Sequence, residues 1–119
     1  MSVITTVLTF LVALEFFYIM YIQTITTTSV QTSKIFNMER NELKGKSLNT
    51  LLKNQGIYNG LIGLGLLYAL FFSNAPIEIV RMIFVYIILV ATYGSFTSSK
   101  KIILTQGGLS ILDLFSTFL

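Results

Sequence analysis

The chain has 119 residues, 54% of them hydrophobic and 11% charged, with a formal net charge of +3 and a mean hydropathy of +0.79. A soluble domain carries about a quarter charged residues, and 13.4 kDa of protein has too little interior to hide so many apolar side chains. Lipid is therefore the expected solvent for much of the surface. Cysteine and histidine are both absent, which excludes disulfides, thiolate or imidazole metal sites, histidine-ligated haem and Cys- or His-based catalysis.

A membrane-spanning helix needs about 20 mainly apolar residues, and four runs are read as spans. Residues 3–22 form the first, broken by threonines and Glu15. No basic residue precedes it and no small-residue cleavage site follows, so it does not read as a signal peptide. A polar stretch, 23–46, comes next. Ile35, Phe36, Met38 and Leu43 are its apolar residues, spaced loosely enough that a solvated connector resting on headgroups is preferred over an interfacial helix acting as a lid. The second run, 47–72, is predicted to be capped by Ser47 and carries Asn54, Gln55 and Asn59. Ser73-Asn74-Ala75-Pro76 reads as a turn, with Pro76 placed to open the next helix. Runs 77–96 and 102–119 complete the set, separated by Thr97-Ser98-Ser99-Lys100-Lys101. The predicted fold class is all-α, an integral membrane four-helix bundle forming a single domain over 1–119.

Orientation follows from the basic residues. Lys34, Arg40, Lys44 and Lys46 lie in the first loop, Lys53 just inside the second run, and Lys100 and Lys101 in the third loop; the second connection has only Arg81, beside Glu78. Loops one and three share a side, expected to be the cytoplasm, with both termini extracytoplasmic. Anionic headgroups then account for the positive charge, and no nucleic-acid partner is implied, because no aromatic residues interleave with the basic ones.

An ionisable residue inside a span is a functional candidate by default. Glu15 lies about 10 Å from the cytoplasmic end of the first helix at 1.5 Å per residue, with Tyr18 one turn on. Gln55, Tyr58 and Asn59 are spaced i, i+3, i+4 in the second helix, Tyr93 lies near the cytoplasmic end of the third, and Gln106 about a turn inside the fourth. Such groups must turn inward and find one another, so Glu15, Tyr18, Gln55, Tyr58, Asn59, Tyr93 and Gln106 are expected to form a polar pocket open to the cytoplasm, or else interhelical hydrogen-bond glue. No Lys, Arg or His lies at the depth of Glu15, whose carboxyl must be protonated, hydrogen-bonded or balanced by a bound cation. The outer half offers only Asp113, Thr5, Thr6 and Thr9, and Asp113 is expected near the outer interface. Gly56, Gly60 and Gly63 form a small-residue stripe suited to close helix packing.

These residues also carry a family resemblance. Leu14-Glu15-Phe16-Phe17-Tyr18-Ile19 resembles the first helix of the small membrane proteins grouped as domain-of-unknown-function family 1304 (DUF1304), and Asn54-Gln55-Gly56-Ile57-Tyr58-Asn59-Gly60 is similar to that family's central motif. Tyr93-Gly94 and Gln106-Gly107-Gly108 resemble its later signatures. Phe16 stands where the family usually has His, and Leu109 where it often has Pro after the paired glycines. The resemblance covers nearly the whole chain; it implies the four-span fold and the choice of site, and no reaction.

Three functions compete. The first is binding or transport of a small polar, cationic or amphipathic molecule, with Glu15 as proton or cation site and the protein acting as a homo-oligomer if it transports. The second is an accessory protein packing against a membrane complex. The third is a lipid- or isoprenoid-modifying enzyme, for which Glu15 and Asp113 are the carboxyl candidates but are predicted at different depths. No cofactor or metal is expected, and the bilayer is the one partner the composition demands.

Overall fold

The computed structural model describes residues 1–97 and 102–119. Among the described residues it holds α-helices and no strand: α1 Val3–Thr24, α2 Val30–Phe36, α3 Arg40–Leu43, α4 Lys46–Phe71, α5 Pro76–Thr97 and α6 Ile102–Ser116. Lys100 and Lys101, placed by the charge argument on the cytoplasmic side, lie outside the described residues.

The apolar run that predicts the first helix ends at Ile22, yet α1 continues through Gln23 and Thr24. Helix propagation needs backbone partners rather than apolar side chains, and the last carbonyls of a helix have none within it. Here a threonine-rich segment supplies them. Thr27 Oγ1 donates to the Gln23 carbonyl at 2.7 Å and the buried Thr32 to those of Ile22 and Thr26 at 2.9 and 2.8 Å, while Thr24 Oγ1 back-bonds to the Met20 carbonyl at 2.6 Å.

The stretch 23–46, expected as a solvated connector, is folded. Ser29 caps α2 by accepting the Thr32 N–H, and Asn37 closes it in the left-handed conformation at φ 53°, its N–H bonded to the Ser33 carbonyl. Glu39 and Glu42 form a reciprocal capping box around the single turn of α3. Arg40 Nε reaches the Thr28 carbonyl at 2.9 Å, Asn49 Nδ2 the Leu43 carbonyl at 3.1 Å, and Leu43 is fully buried. Ser47 is not the cap of α4: the helix starts at Lys46, and the Gly45 carbonyl accepts the Asn49 N–H. Pro76 does occupy the first position of α5.

The chain divides into two compact units, one of residues 14–63 and one of residues 1–13 with 64–119. In the first, a buried stripe of α4 (Leu52, Gly56, Gly60, Gly63) carries no side chain larger than a hydrogen at three of its positions. A Cβ on Gly56 would stand 2.7 Å from Thr24 Cγ2 and 2.9 Å from Gln23 Cβ, and one on Gly60 would overlap Met20 Sδ. In the second unit α5 packs along α6, with Val12, Ala13, Leu66, Ala69, Val80, Phe84, Ile87 and Ala91 as the buried apolar residues. Arg81 closes its end: the guanidinium donates to Thr117 Oγ1 at 3.0 Å and the Thr117 carbonyl at 2.8 Å, and lies 4.0 Å from the Phe118 ring centre.

Four helices were predicted to span a membrane. Among the described residues two, α1 and α5, are long and apolar enough to do so by themselves, and a third or less of each apolar stretch is buried. The first half of α4 is too polar, with Lys46, Asn49, Lys53, Asn54, Gln55 and Asn59. Helix α6 has 15 residues, a length of about 22 Å against a hydrocarbon core of about 30 Å.

Gly56→Ala is expected to destabilise the protein by about 1–3 kcal/mol through overpacking against Thr24 and Gln23. Gly108→Ala, where an added Cβ meets nothing within 4 Å, is expected to be neutral or stabilising by up to about 1 kcal/mol. Thermal unfolding in detergent, followed by circular dichroism, separates the two; equal effects would mean that the close approach at Gly56 is not made.

Candidate functional site

Glu15, Tyr18, Gln55, Tyr58 and Asn59 belong to the unit of residues 14–63, and Tyr93 and Gln106 to the other. Helix α1 buries a continuous stripe, Thr5, Thr9, Val12, Phe16, Ile19 and Gln23, at three- and four-residue spacing. The last of these organises the first unit. Gln23 is fully buried, its Nε2 donates to Gln55 Oε1 at 2.9 Å, and its Oε1 accepts from Asn59 Nδ2 at 2.6 Å. Gln55 and Asn59 are thus joined as expected for polar groups on one helix face. Their partner is a residue that the apolar pattern had assigned to the loop.

The tyrosines are not part of this network. Tyr18, Tyr58 and Tyr93 are 47%, 66% and 71% exposed. Tyr58 lies three residues after Gln55 and Asn59 four, which places them on opposite flanks of Gln55 at 100° per residue; only one flank faces α1. Tyr18 is likewise off the buried stripe of α1. Gln106 is half-buried in α6. Gln55 and Tyr58 line a shallow groove of about 370 Å³ with Met38, Leu48, Leu51, Leu52 and Asn54, a lining that suits an amphipathic group.

Glu15 sits at the middle of α1, half-buried, and its Oε1 is buried without a hydrogen-bond partner. An uncompensated carboxylate oxygen is costly, so the atom is available to a proton or cation.

Asp113, expected near an interface, is fully buried in the other unit. Thr9 Oγ1 donates to its Oδ2 at 2.7 Å, and Ser116 Oγ lies 3.2 Å from its Oδ1 and 2.6 Å from its carbonyl oxygen. Thr5 Oγ1 is 2.8 Å from Ser116 Oγ and accepts from Ser2 Oγ at 2.9 Å. The buried face of α6 is Gly107, Ser110, Asp113 and Ser116, while Leu112 and Phe115 are 61% and 69% exposed. The i, i+3 spacing of Ser110, Asp113 and Ser116, matched by Thr5 and Thr9 at i, i+4 in α1, was the available signal for this cluster. Its two halves lie 104 to 111 residues apart in the chain, so no local pattern joins them. Among the described residues no group of three or more acidic, His or Cys side chains gathers as a metal site.

The family model described as a protein of unknown function (DUF1304) matches residues 10–118. A curated relative, the uncharacterized protein YpaA of Lactococcus lactis subsp. lactis (strain IL1403), is 65% identical over 118 residues, 99% of each chain. No solved structure matches.

Gln23→Met keeps the length of the side chain and removes both amide hydrogen bonds, leaving the Asn59 amide unpaired. It is expected to cost about 1–3 kcal/mol, whereas Tyr18→Phe and Tyr58→Phe, at exposed positions, should stay within about 0.5 kcal/mol of wild type. Comparative thermal unfolding in one detergent checks this ranking, and a tyrosine variant as damaging as Gln23→Met would contradict it.

Proposed function

The chain belongs to the DUF1304 family, and we propose that it is a multi-pass membrane protein that binds or carries a small cationic or amphipathic molecule, with Glu15 as its proton or cation site. One observation carries the membrane reading: α6 turns its polar face inward and its large apolar side chains outward. Helix α6 buries Ser110, Asp113 and Ser116 and exposes Leu104, Leu112 and Phe115; α1 buries Thr5, Thr9 and Gln23 along with Val12, Phe16 and Ile19, and still exposes Val3, Ile4, Val7, Phe10, Leu11 and Leu14. Water would favour the opposite arrangement. In lipid the apolar faces are solvated and the polar ones must pair inside. The four-helix bundle, with α4 and α6 completing what α1 and α5 begin, is part of this proposal. So is the orientation that puts Lys34, Arg40, Lys44, Lys46 and Lys53 in the cytoplasm.

Support for the site comes from Glu15 Oε1, a buried oxygen without a partner, in the same unit as the groove beside Gln55 and Tyr58. A cation paired with this carboxylate would meet the one strong electrostatic demand on α1, and the groove would receive an apolar portion.

Two experiments test the proposal. The chain has no cysteine, so Asn41→Cys and Asn74→Cys, both at exposed positions, each give a single thiol. An impermeant maleimide on intact cells is expected to label the second and not the first; labelling of both would overturn the topology. Native mass spectrometry of protein released gently from membranes is expected to show a retained small molecule. Glu15→Gln should weaken that retention about tenfold or more, the scale of losing a charge-assisted hydrogen bond. A clean subunit without adduct, or one seen only with a protein partner, would replace this reading with the accessory one.

A further inference from the structure

The buried cluster on the other unit has a direction. A hydroxyl has one proton to donate and two lone pairs. The proton of Ser116 is committed to Asp113, whose carbonyl and Oδ1 are its acceptors, so in the 2.8 Å contact Thr5 is the donor and Ser116 the acceptor. Ser2 Oγ in turn donates to Thr5 Oγ1. The three O–H groups therefore point one way, from Ser2, which is exposed, through Thr5 and Ser116, which are 1% and 6% exposed, to Asp113 at 0%. The chain runs from solvent to Ser116, whose O–H bonds the Asp113 carbonyl at 2.6 Å with the carboxylate Oδ1 3.2 Å away.

A second observation points to the ligand. A carboxylate that takes up a proton becomes a donor and needs an acceptor. Ser110 is fully buried, its Oγ has no hydrogen-bond partner, and it precedes Asp113 by one turn on the same buried stripe. The site thus holds donors for the charged form, and one turn away on the same face a buried hydroxyl that no group satisfies. The other ionisable groups described in this unit are the chain termini, Tyr68, Glu78, Arg81, Tyr86 and Tyr93. Glu78 and the tyrosines are exposed, and Arg81 is held by Thr117 and Phe118. The side-chain hydrogen bonds to the Asp113 carboxylate come from Thr9 and Ser116 alone among the described residues.

We propose that Ser2, Thr5 and Ser116 form a hydroxyl relay that exchanges protons between solvent and the carboxyl group of Asp113. A proton from hydronium joins the Ser2 oxygen, leaving water behind, and Ser2 releases its own to Thr5 Oγ1. Thr5 passes its proton to Ser116 Oγ, and Ser116, its O–H turned from the Asp113 carbonyl to Oδ1, passes its own to the carboxylate. Each hydroxyl oxygen breaks one O–H bond and forms one, no electron moves, and the net change is one proton transferred from hydronium to Asp113. Rotation of the three hydroxyls resets the chain. Thr9 holds the second carboxylate oxygen throughout. The relay is independent of the Glu15 site and needs no ligand there.

Infrared difference spectroscopy of the full chain in detergent tests this, by following the carboxylic C=O band and its shift on transfer to D2O; Asp113→Asn identifies the band. The band is expected to appear on acidification of the wild type. Its deuterium shift is expected to slow at least about tenfold in Thr5→Val and in Ser116→Ala, the factor that about 1.4 kcal/mol of added barrier brings. Thr5→Ser, which keeps the hydroxyl, should exchange at the wild-type rate. Ser2→Ala interrupts the chain at its exposed end, so it reads the same step even where a buried substitution prevents folding. Absence of any acid-induced band that Asp113→Asn removes would overturn the proposal. So would unchanged exchange in the folded members of this series, which would leave the hydroxyls as interhelical glue.

Discussion

A fully buried glutamine and a fully buried aspartate decide which faces of these apolar helices turn inward. Leu, Ile, Val and Phe occur on every side of α1, and burying one of them in place of another changes little when the surroundings are themselves apolar. An unpaired amide or carboxylate costs about 1–3 kcal/mol or more, so the polar residues discriminate where the apolar ones do not. Gln23 is satisfied by Gln55 and Asn59, and beside that contact α1 comes close enough to α4 that a side chain at position 56 would press on Gln23 and Thr24. Asp113 likewise requires Thr9 and Ser116. The packing of each unit follows from these pairings.

The same requirement explains the many threonines. On α1 they serve two purposes. Thr5 and Thr9 present hydroxyls inward, Thr24 back-bonds to the preceding turn, and Thr27 and Thr32 beyond the helix occupy carbonyls that its end leaves open. A hydroxyl on a short side chain does both at little cost in volume, and its back-bonding to the preceding turn keeps it from exposing a free donor to an apolar medium.

The two buried carboxyl groups illustrate opposite solutions. Asp113 is surrounded by hydroxyl donors that stabilise its charge and link it to the surface. Glu15 has an oxygen with no donor at all. A group of the first kind is suited to exchanging a proton in place. One of the second kind has no partner among its own unit's hydrogen bonds. The difference between them reflects what the neighbouring residues offer at i, i+3 and i, i+4, not the carboxyl itself.

Amino-acid order alone determined that the chain is helical, where its four long helices lie to within a few residues, and that Gln55 and Asn59 belong to one polar face, because apolar run length, turn residues and helical spacing are local properties. It also placed the glycines of α4 on a packing stripe, since small side chains at i, i+4 have few other uses. Tertiary structure decided the rest. It made Gln23 helical and central, because backbone carbonyls capped by threonines let α1 outlast its apolar run. It excluded Tyr18, Tyr58 and Tyr93 from the polar network, because residues at i+3 and i+4 flank a helix face and only the neighbouring helix selects between the flanks. It turned the first connection from a solvated loop into capped helices around Leu43, and it gathered Ser2, Thr5, Thr9, Asp113 and Ser116, up to 114 residues apart in the chain, into one hydrogen-bonded cluster. Contacts of that separation leave no local pattern, since each residue satisfies its own helix equally well in any rotation until a second helix supplies the partner.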